Sequence, residues 1–213
     1  MQVKSKWVAF FSQSGSEITS LIKLGYNPDL VVTDNLESFL CLEEFFKDKG
    51  IAFWYKPINF KKNYLKVRYY DEILHEDDVV TLHGWLNIVP AQTCDDYVIY
   101  NGHPGHIIDY PELKGKDPQE RAFNDIKKYK KIGCVLHRVT AEIDDGEVVV
   151  ISEQDIKSGI KIGSLPGMFS ICSKLSLVTW ECFFRNIDII LETDLNYDGT
   201  FKNDREKRIP IYC

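Results

Sequence analysis

Apolar residues fall in short runs, and the runs are separated by stretches with helical spacing. Trp7-Val8-Ala9-Phe10-Phe11 is such a run, ended by the turn-rich Ser12-Gln13-Ser14-Gly15-Ser16. Ile18, Leu21 and Ile22 then recur at helical spacing up to Gly25. Leu30-Val31-Val32 predicts a second strand, stopped by Asp34-Asn35. Leu36 to Lys49, carrying Phe39, Leu42 and Phe46, predicts an amphipathic helix with Gly50 as its C-terminal stop. Ile51 to Tyr55 reads as a third strand and Tyr64 to Leu74 as another helix. Val79-Val80-Thr81-Leu82 and Tyr97-Val98-Ile99-Tyr100 follow as strands, each running into a polar turn that contains glycine.

Apolar runs alternating with helices imply β-α-β units. The expected fold class is therefore α/β: a Rossmann-like, mostly parallel central sheet with helices on both faces. Past residue 132 the pattern changes. Cys134 to Val139 and Val148 to Ile151 predict a late antiparallel hairpin around Asp144-Asp145-Gly146. Met168 to Leu191 predicts one long helix, with Ile171, Leu175, Val178, Cys182, Ile187 and Ile190 at helical spacing. The expected organisation is a single domain over 1–195 and a polar C-terminal tail over 196–213.

Composition narrows the function classes. The 213 residues, 44% hydrophobic and 27% charged, suffice for one substantial core. A net charge of -6 disfavours non-specific nucleic-acid binding, so no nucleic-acid partner is expected. The apolar run Trp7–Phe11 is too short for a secretion signal or a membrane span; the expectation is a cytoplasmic protein with no membrane partner. The six cysteines are scattered without metal-ligand spacing, so they read as reduced thiols and no metal is expected.

In parallel sheets, ligands bind beyond the carboxyl ends of the strands, which directs attention to the turns. Asn101-Gly102-His103-Pro104-Gly105 follows directly on the strand ending at Tyr100. An amide and an imidazole two residues apart could both face a crevice, stabilise an oxyanion and manage protons. Asp144 could orient the His103 ring if the fold brings the two together, although Asp-Gly is also an ordinary hairpin turn. Ser12 to Glu17 would present backbone N–H groups at a helix N-terminus, where Ser14 or Ser16 could equally be a cap. His137 on its apolar strand reads as structural or as bordering the crevice, His75 and His83 have no partner visible in the sequence, and His106 is a further candidate for substrate contact. Lys114-Gly115-Lys116-Asp117 reads as a solvated loop that could close over a ligand.

In order and spacing, these motifs resemble the formyltransferase family, and within it the phosphoribosylglycinamide formyltransferases. The resemblance runs from about Val8 to Ile190. The family's Ser-Gly-x-Gly-Ser-Asn phosphate loop is similar to Ser12 to Glu17, its Asn-x-His-Pro-Ser to Asn101 to Gly105, and its Asp-Gly-Gly-Pro to Asp144 to Glu147. Its folate-lining Gly-Phe-hydrophobic-Arg-Ile-Leu segment is similar to Gly84 to Val89.

The resemblance implies catalytic roles for Asn101, His103 and Asp144. It implies cosubstrate contacts from Gly84, Trp85, Leu86, Asn87, Ile88, Val89, Ala141 and Glu142, and substrate contacts from Ser14, Gly15, Ser16, Glu17 and Gly105. The implied reaction is formyl transfer from 10-formyltetrahydrofolate, as cosubstrate, to a small-molecule primary amine. The first-choice acceptor is glycinamide ribonucleotide or a related phosphorylated amine, a step of purine biosynthesis, made by a monomer or homodimer. A nucleotide-linked amino sugar or other modified nucleotide is the alternative acceptor, and a formyl-folate hydrolase or a silent folate-binding relative a further reading. Glu17 in place of asparagine, Asn87 in place of arginine and Gly105 in place of serine depart from the family pattern.

Overall fold

The computed structural model describes residues 6–156, 162–194 and 210–213. Two compact units divide these residues: Met1–Asn101 with Arg138–Ile143, and Gly102–His137 with Asp144–Cys213.

In the first unit, β1 (Trp7–Phe11), β2 (Leu30–Thr33), β3 (Ala52–Tyr55), β4 (Val79–Leu82) and β5 (Ile99–His103) lie in the order β3-β2-β1-β4-β5. The pairings β1–β2, β1–β4, β2–β3 and β4–β5 are parallel, with Phe10 opposite both Val32 and Leu82, and Leu82 opposite Asn101. Between them run α1 (Ser16–Lys23), α2 (Leu36–Asp48), α3 (Asn63–Asp71) and the short α4 (Ala91–Asp96). Strand periodicity divides the apolar side chains between two faces. Val8, Phe10, Leu30, Val32, Val80 and Leu82 pack with Tyr69 and Tyr70 of α3 and Cys94 of α4. On the opposite face Phe11 stacks on Phe53, which meets Phe39 and Phe46 of α2. Helices thus cover both faces, as expected.

β5 begins later and ends later than the apolar run predicts. Tyr97 and Val98 precede it, and Asn101, Gly102 and His103 belong to the strand itself. Asn101 pairs in register with Leu82, so ladder bonding carries the strand past its apolar residues.

The second unit contains α5 (Pro118–Asn124), β6 (Lys131–Arg138), β7 (Val148–Asp155), α6 (Leu165–Arg185), α7 (Ile187–Asp194) and β8 (Ile211–Tyr212). β6 and β7 pair antiparallel, with an irregularity between Leu136 and His137. The hairpin is therefore present, with longer strands than predicted. Ile132, Cys134, Val135 and Ile151 of the hairpin pack against Met168 and Cys172 of α6. The expected single long helix is instead two. At Asn186 the backbone leaves helical geometry (φ -118) and the side-chain amide donates to the Cys182 carbonyl at 2.8 Å, competing with the main-chain ladder.

The expected tail falls largely on residues outside the described set, but its last residues form β8, parallel to β7. The Cys213 amide donates to the Ile151 carbonyl at 2.9 Å, and Cys213 is joined to Cys182 in a disulfide. That pairing overturns the reading of all six cysteines as reduced thiols. Cys41, Cys94, Cys134 and Cys172 are not in disulfides, and all but Cys41 are buried. Among the described residues no helix is long and apolar enough to cross a membrane.

Candidate active site

At the centre of the second unit's polar cluster lies Asp144. Its left-handed backbone (φ 51) is a conformation that aspartate and asparagine tolerate better than most residues. One carboxylate oxygen lies 3.1 Å from His103 Nδ1, and the other 3.2 Å from His137 Nε2. The Gly115 amide donates to the oxygen that faces His103, at 2.8 Å. Burial raises the carboxyl's proton affinity, but hydrogen bonds from His103, His137 and Gly115 and the charge of His103 outweigh it. Asp144 is thereby held well below the usual carboxylate range.

His103 is 5% exposed, and its second nitrogen, Nε2, is 2.9 Å from the Leu113 carbonyl oxygen. Both ring nitrogens therefore face acceptor oxygens. The Leu113 carbonyl also accepts from Arg121 at 3.1 Å, and the same guanidinium holds the carbonyls of Glu112 and Lys114. Lys114 pairs with Asp145. The segment read as a solvated loop is thus pinned across the cluster by Arg121, Asp144 and Asp145.

Gly105 has a steric reason. A Cβ there would lie 2.8 Å from His103 Nε2 and 3.1 Å from the Pro118 Cβ, so the ring occupies the space a side chain would need. Gly105→Ala should cost about 1–3 kcal/mol of stability, the usual scale for overpacking, because the ring is tethered at both nitrogens. Urea denaturation measures it.

In the first unit, Asn101 is half-buried on β5, opposite Leu82. The loop after β1 is tied from three sides: Asn35 Nδ2 donates to the Ser12 carbonyl, Ser38 Oγ donates to the Gln13 carbonyl, and Ser12 Oγ accepts from the Leu86 amide. Gly15 precedes α1 in left-handed geometry (φ 67), where a Cβ would also strike the Phe11 ring at 2.9 Å. Ser14 and Ser16 are exposed, and neither caps α1 by a side-chain hydrogen bond; the N-cap is Gly15.

Along Gly84 to Val89, Trp85 and Val89 are buried in the core and Trp85 Nε1 donates to the Tyr70 hydroxyl at 2.9 Å. Leu86 and Ile88 are exposed, and Asn87 donates to Asp34 at 2.7 Å. Ala141 and Glu142 are exposed.

His137 is buried, as read, while His106 and His83 sit differently from their sequence readings. His137 joins the Asp144 cluster. His106, a candidate for substrate contact, is 1% exposed and bonded to Glu153 at 2.7 Å, a structural placement. His83, without a visible partner in the sequence, lies 2.8 Å from Glu17 and 2.9 Å from Thr81.

The fold is shared by phosphoribosylglycinamide formyltransferases and formyltetrahydrofolate deformylases. The phosphoribosylglycinamide formyltransferase of Anaplasma phagocytophilum superposes with a TM-score of 0.65 at 23% identity, over 99% of this chain and 100% of that one. The formyltetrahydrofolate deformylase of Pseudomonas syringae superposes with a TM-score of 0.68 at 18% identity, over 93% of this chain and 65% of that one. Sequence likeness points to the first group. A phosphoribosylglycinamide formyltransferase of Dictyostelium discoideum is 36% identical over 110 residues, 47% of this chain and 52% of the relative. The match therefore spans about half the length of that relative. No family model matches the chain. The resemblance read from the motifs is thus borne out, by this partial sequence match and by the fold.

Proposed function

We propose that the chain transfers a formyl group from 10-formyltetrahydrofolate to a primary amine, as a cytoplasmic monomer or homodimer. The observation that carries this reading is the His103 ring, buried and held at Nδ1 by an ionised Asp144.

As the amine nitrogen adds to the formyl carbon, Asn101 and His103 donate hydrogen bonds to the oxygen that gains charge. Asp144 keeps the ring oriented through its contact at Nδ1. The amine gives up a proton as the new C–N bond forms, and the departing folate nitrogen gains one as the old bond breaks; His103 is placed to carry it. His103 Nε2 must first exchange the Leu113 carbonyl for the substrate oxygen, so the strap of Pro111 to Lys116 has to yield on binding. Leu86 and Ile88, with the backbone from Gly84 to Val89 and with Ala141 and Glu142, would receive the folate. The loop Ser14 to Glu17 and Gly105 would receive the acceptor.

Glycinamide ribonucleotide is the first acceptor to test, because the similar proteins carry it in their names. Incubation with 10-formyltetrahydrofolate and candidate amines, followed by tetrahydrofolate release, decides the matter. Amine-dependent release is expected. Release without an amine would make the chain a hydrolase, and binding without turnover would make it a silent relative.

A further inference from the structure

The second unit gathers sulfur atoms that take no part in the chemistry above. Met168 and Cys172 stand four residues apart on α6, so their side chains lie on one helix face. Cys172 Sγ is 3.9 Å from Met168 Sδ. Cys134 comes to the same place from β6, where its thiol donates to the Cys172 carbonyl at 3.2 Å. Hydrogen bonding from Cys134 also holds the Cys172 thiol below the usual thiol range, against the opposing effect of burial. All three residues are buried in one cluster. The two cysteines are 38 residues apart, so no local spacing marks them.

Two further observations bear on this group. Ser152 lies opposite Cys134 in the β6–β7 register, so the two side chains share a face of the hairpin. Its hydroxyl is buried with no hydrogen-bond partner among the described residues, a state that calls for an acceptor. Met168 and Cys172 also border a small pocket, together with Gln119, Ile132 and Gly133. That pocket gives a small ion a path to the sulfurs.

Donor type and spacing decide which ion. Thiolate and thioether sulfurs favour soft cations such as copper(I), and offer little to magnesium or calcium. At about 2.3 Å, the length of a metal–thiolate bond, three sulfurs in a plane around one ion stand about 4.0 Å apart. The separation on α6 is 3.9 Å. Among the described residues no three histidine, cysteine, aspartate or glutamate side chains form a metal site, so a third donor beside the two cysteines has to be the thioether.

We propose that Cys134, Cys172 and Met168 form a binding site for one copper(I) ion. On binding, each thiol loses its proton to solvent, and the two thiolates and the thioether coordinate the metal. Cys134 gives up its bond to the Cys172 carbonyl, and the Ser152 hydroxyl donates to the Cys134 sulfur. Two thiolates and one monovalent cation leave a single negative charge, which that hydrogen bond partly offsets. The site stands apart from the formyl-transfer reading.

The test titrates the full chain with copper(I), held as its bicinchoninate complex without oxygen. A Cys41→Ser background removes the exposed thiol, and Cys182 and Cys213 stay closed in their disulfide. One equivalent should pass to the protein, and X-ray absorption should show three sulfur neighbours around it. Cys134→Ser and Cys172→Ser should each weaken binding by more than about 100-fold, the upper end of what losing a merely supporting contact costs. Ser152→Ala should weaken it by about 10-fold. Met168→Leu, which nearly keeps the volume, should lower the sulfur count from three to two. Thermal melting without metal checks the folds. No transfer of copper, transfer that persists in either serine variant, or fewer than three sulfur neighbours in the background chain overturns the proposal. Should both serine variants fail to fold, the sulfur counts of the background chain and of Met168→Leu decide it.

Discussion

Replacing His103 by alanine should slow formyl transfer by about 10²- to 10³-fold, the usual cost of one lost oxyanion donor. The loss should fall on kcat, because the donor acts on charge that exists only as the bond forms. Asn101→Ala should cost a similar factor. On the proposed reading, the double variant should lose less than the product of the two. His137→Ala should be milder, because its ring touches Asp144 at 3.2 Å and has no assigned contact with substrate. Single-turnover rates with saturating amine measure all four, and melting temperatures check the folds. A His103→Ala chain that turns over near the wild-type rate would remove the assignment.

Much of the fold was legible because burial on both faces leaves continuous apolar runs. Leu30–Thr33 and Val79–Leu82 are buried throughout and were visible as strands. β5 was misplaced because its C-terminal half, Asn101 to His103, is polar, although Asn101 pairs with Leu82 of β4 and His103 is buried. The break at Asn186 was hidden for a different reason. Apolar periodicity continues across it, and only the bond from the Asn186 side chain to the Cys182 carbonyl interrupts the ladder. β8 and the Cys182–Cys213 disulfide depend on where the chain returns after a separation of 31 residues, which no local pattern encodes.

The candidate site shows the same division. Asn101, His103 and Asp144 were singled out through motif order, and the structure brings His103 and Asp144 together. Their supports were not singled out. The Leu113 carbonyl and the Gly115 amide are backbone groups, which any residue type supplies. Arg121 stands in α5, a segment the sequence reading did not single out, yet it gathers the carbonyls of residues 112 to 114. Glu17 and His83 are 66 residues apart and meet only because β1 and β4 are neighbours. The departure at Glu17 was visible in the sequence; its fixed partner was not.

Asp144→Asn should lower stability at neutral pH by about 2–3 kcal/mol, the scale of charge-assisted hydrogen bonds whose acceptor loses its charge. Asparagine keeps the left-handed backbone at this position, so the change isolates the charge. The pH dependence follows from the direction of the shift. Asp144 has its carboxyl held below the free value of 3.8, so the folded chain binds this proton more weakly than the unfolded one. Its contribution is fully present above about pH 5 and is lost as the pH falls towards the depressed folded value. The gap between wild type and variant should therefore be widest near neutrality and narrow on acidification below about pH 4. Glu153, also depressed, by its bonds to Lys131 and His106, titrates in both proteins and cancels in the difference. Urea denaturation from pH 3 to pH 7 reads the gap directly. A gap that stayed constant across that range would mean that Asp144 contributes shape and not charge, and the electrostatic hold on His103 would go with it.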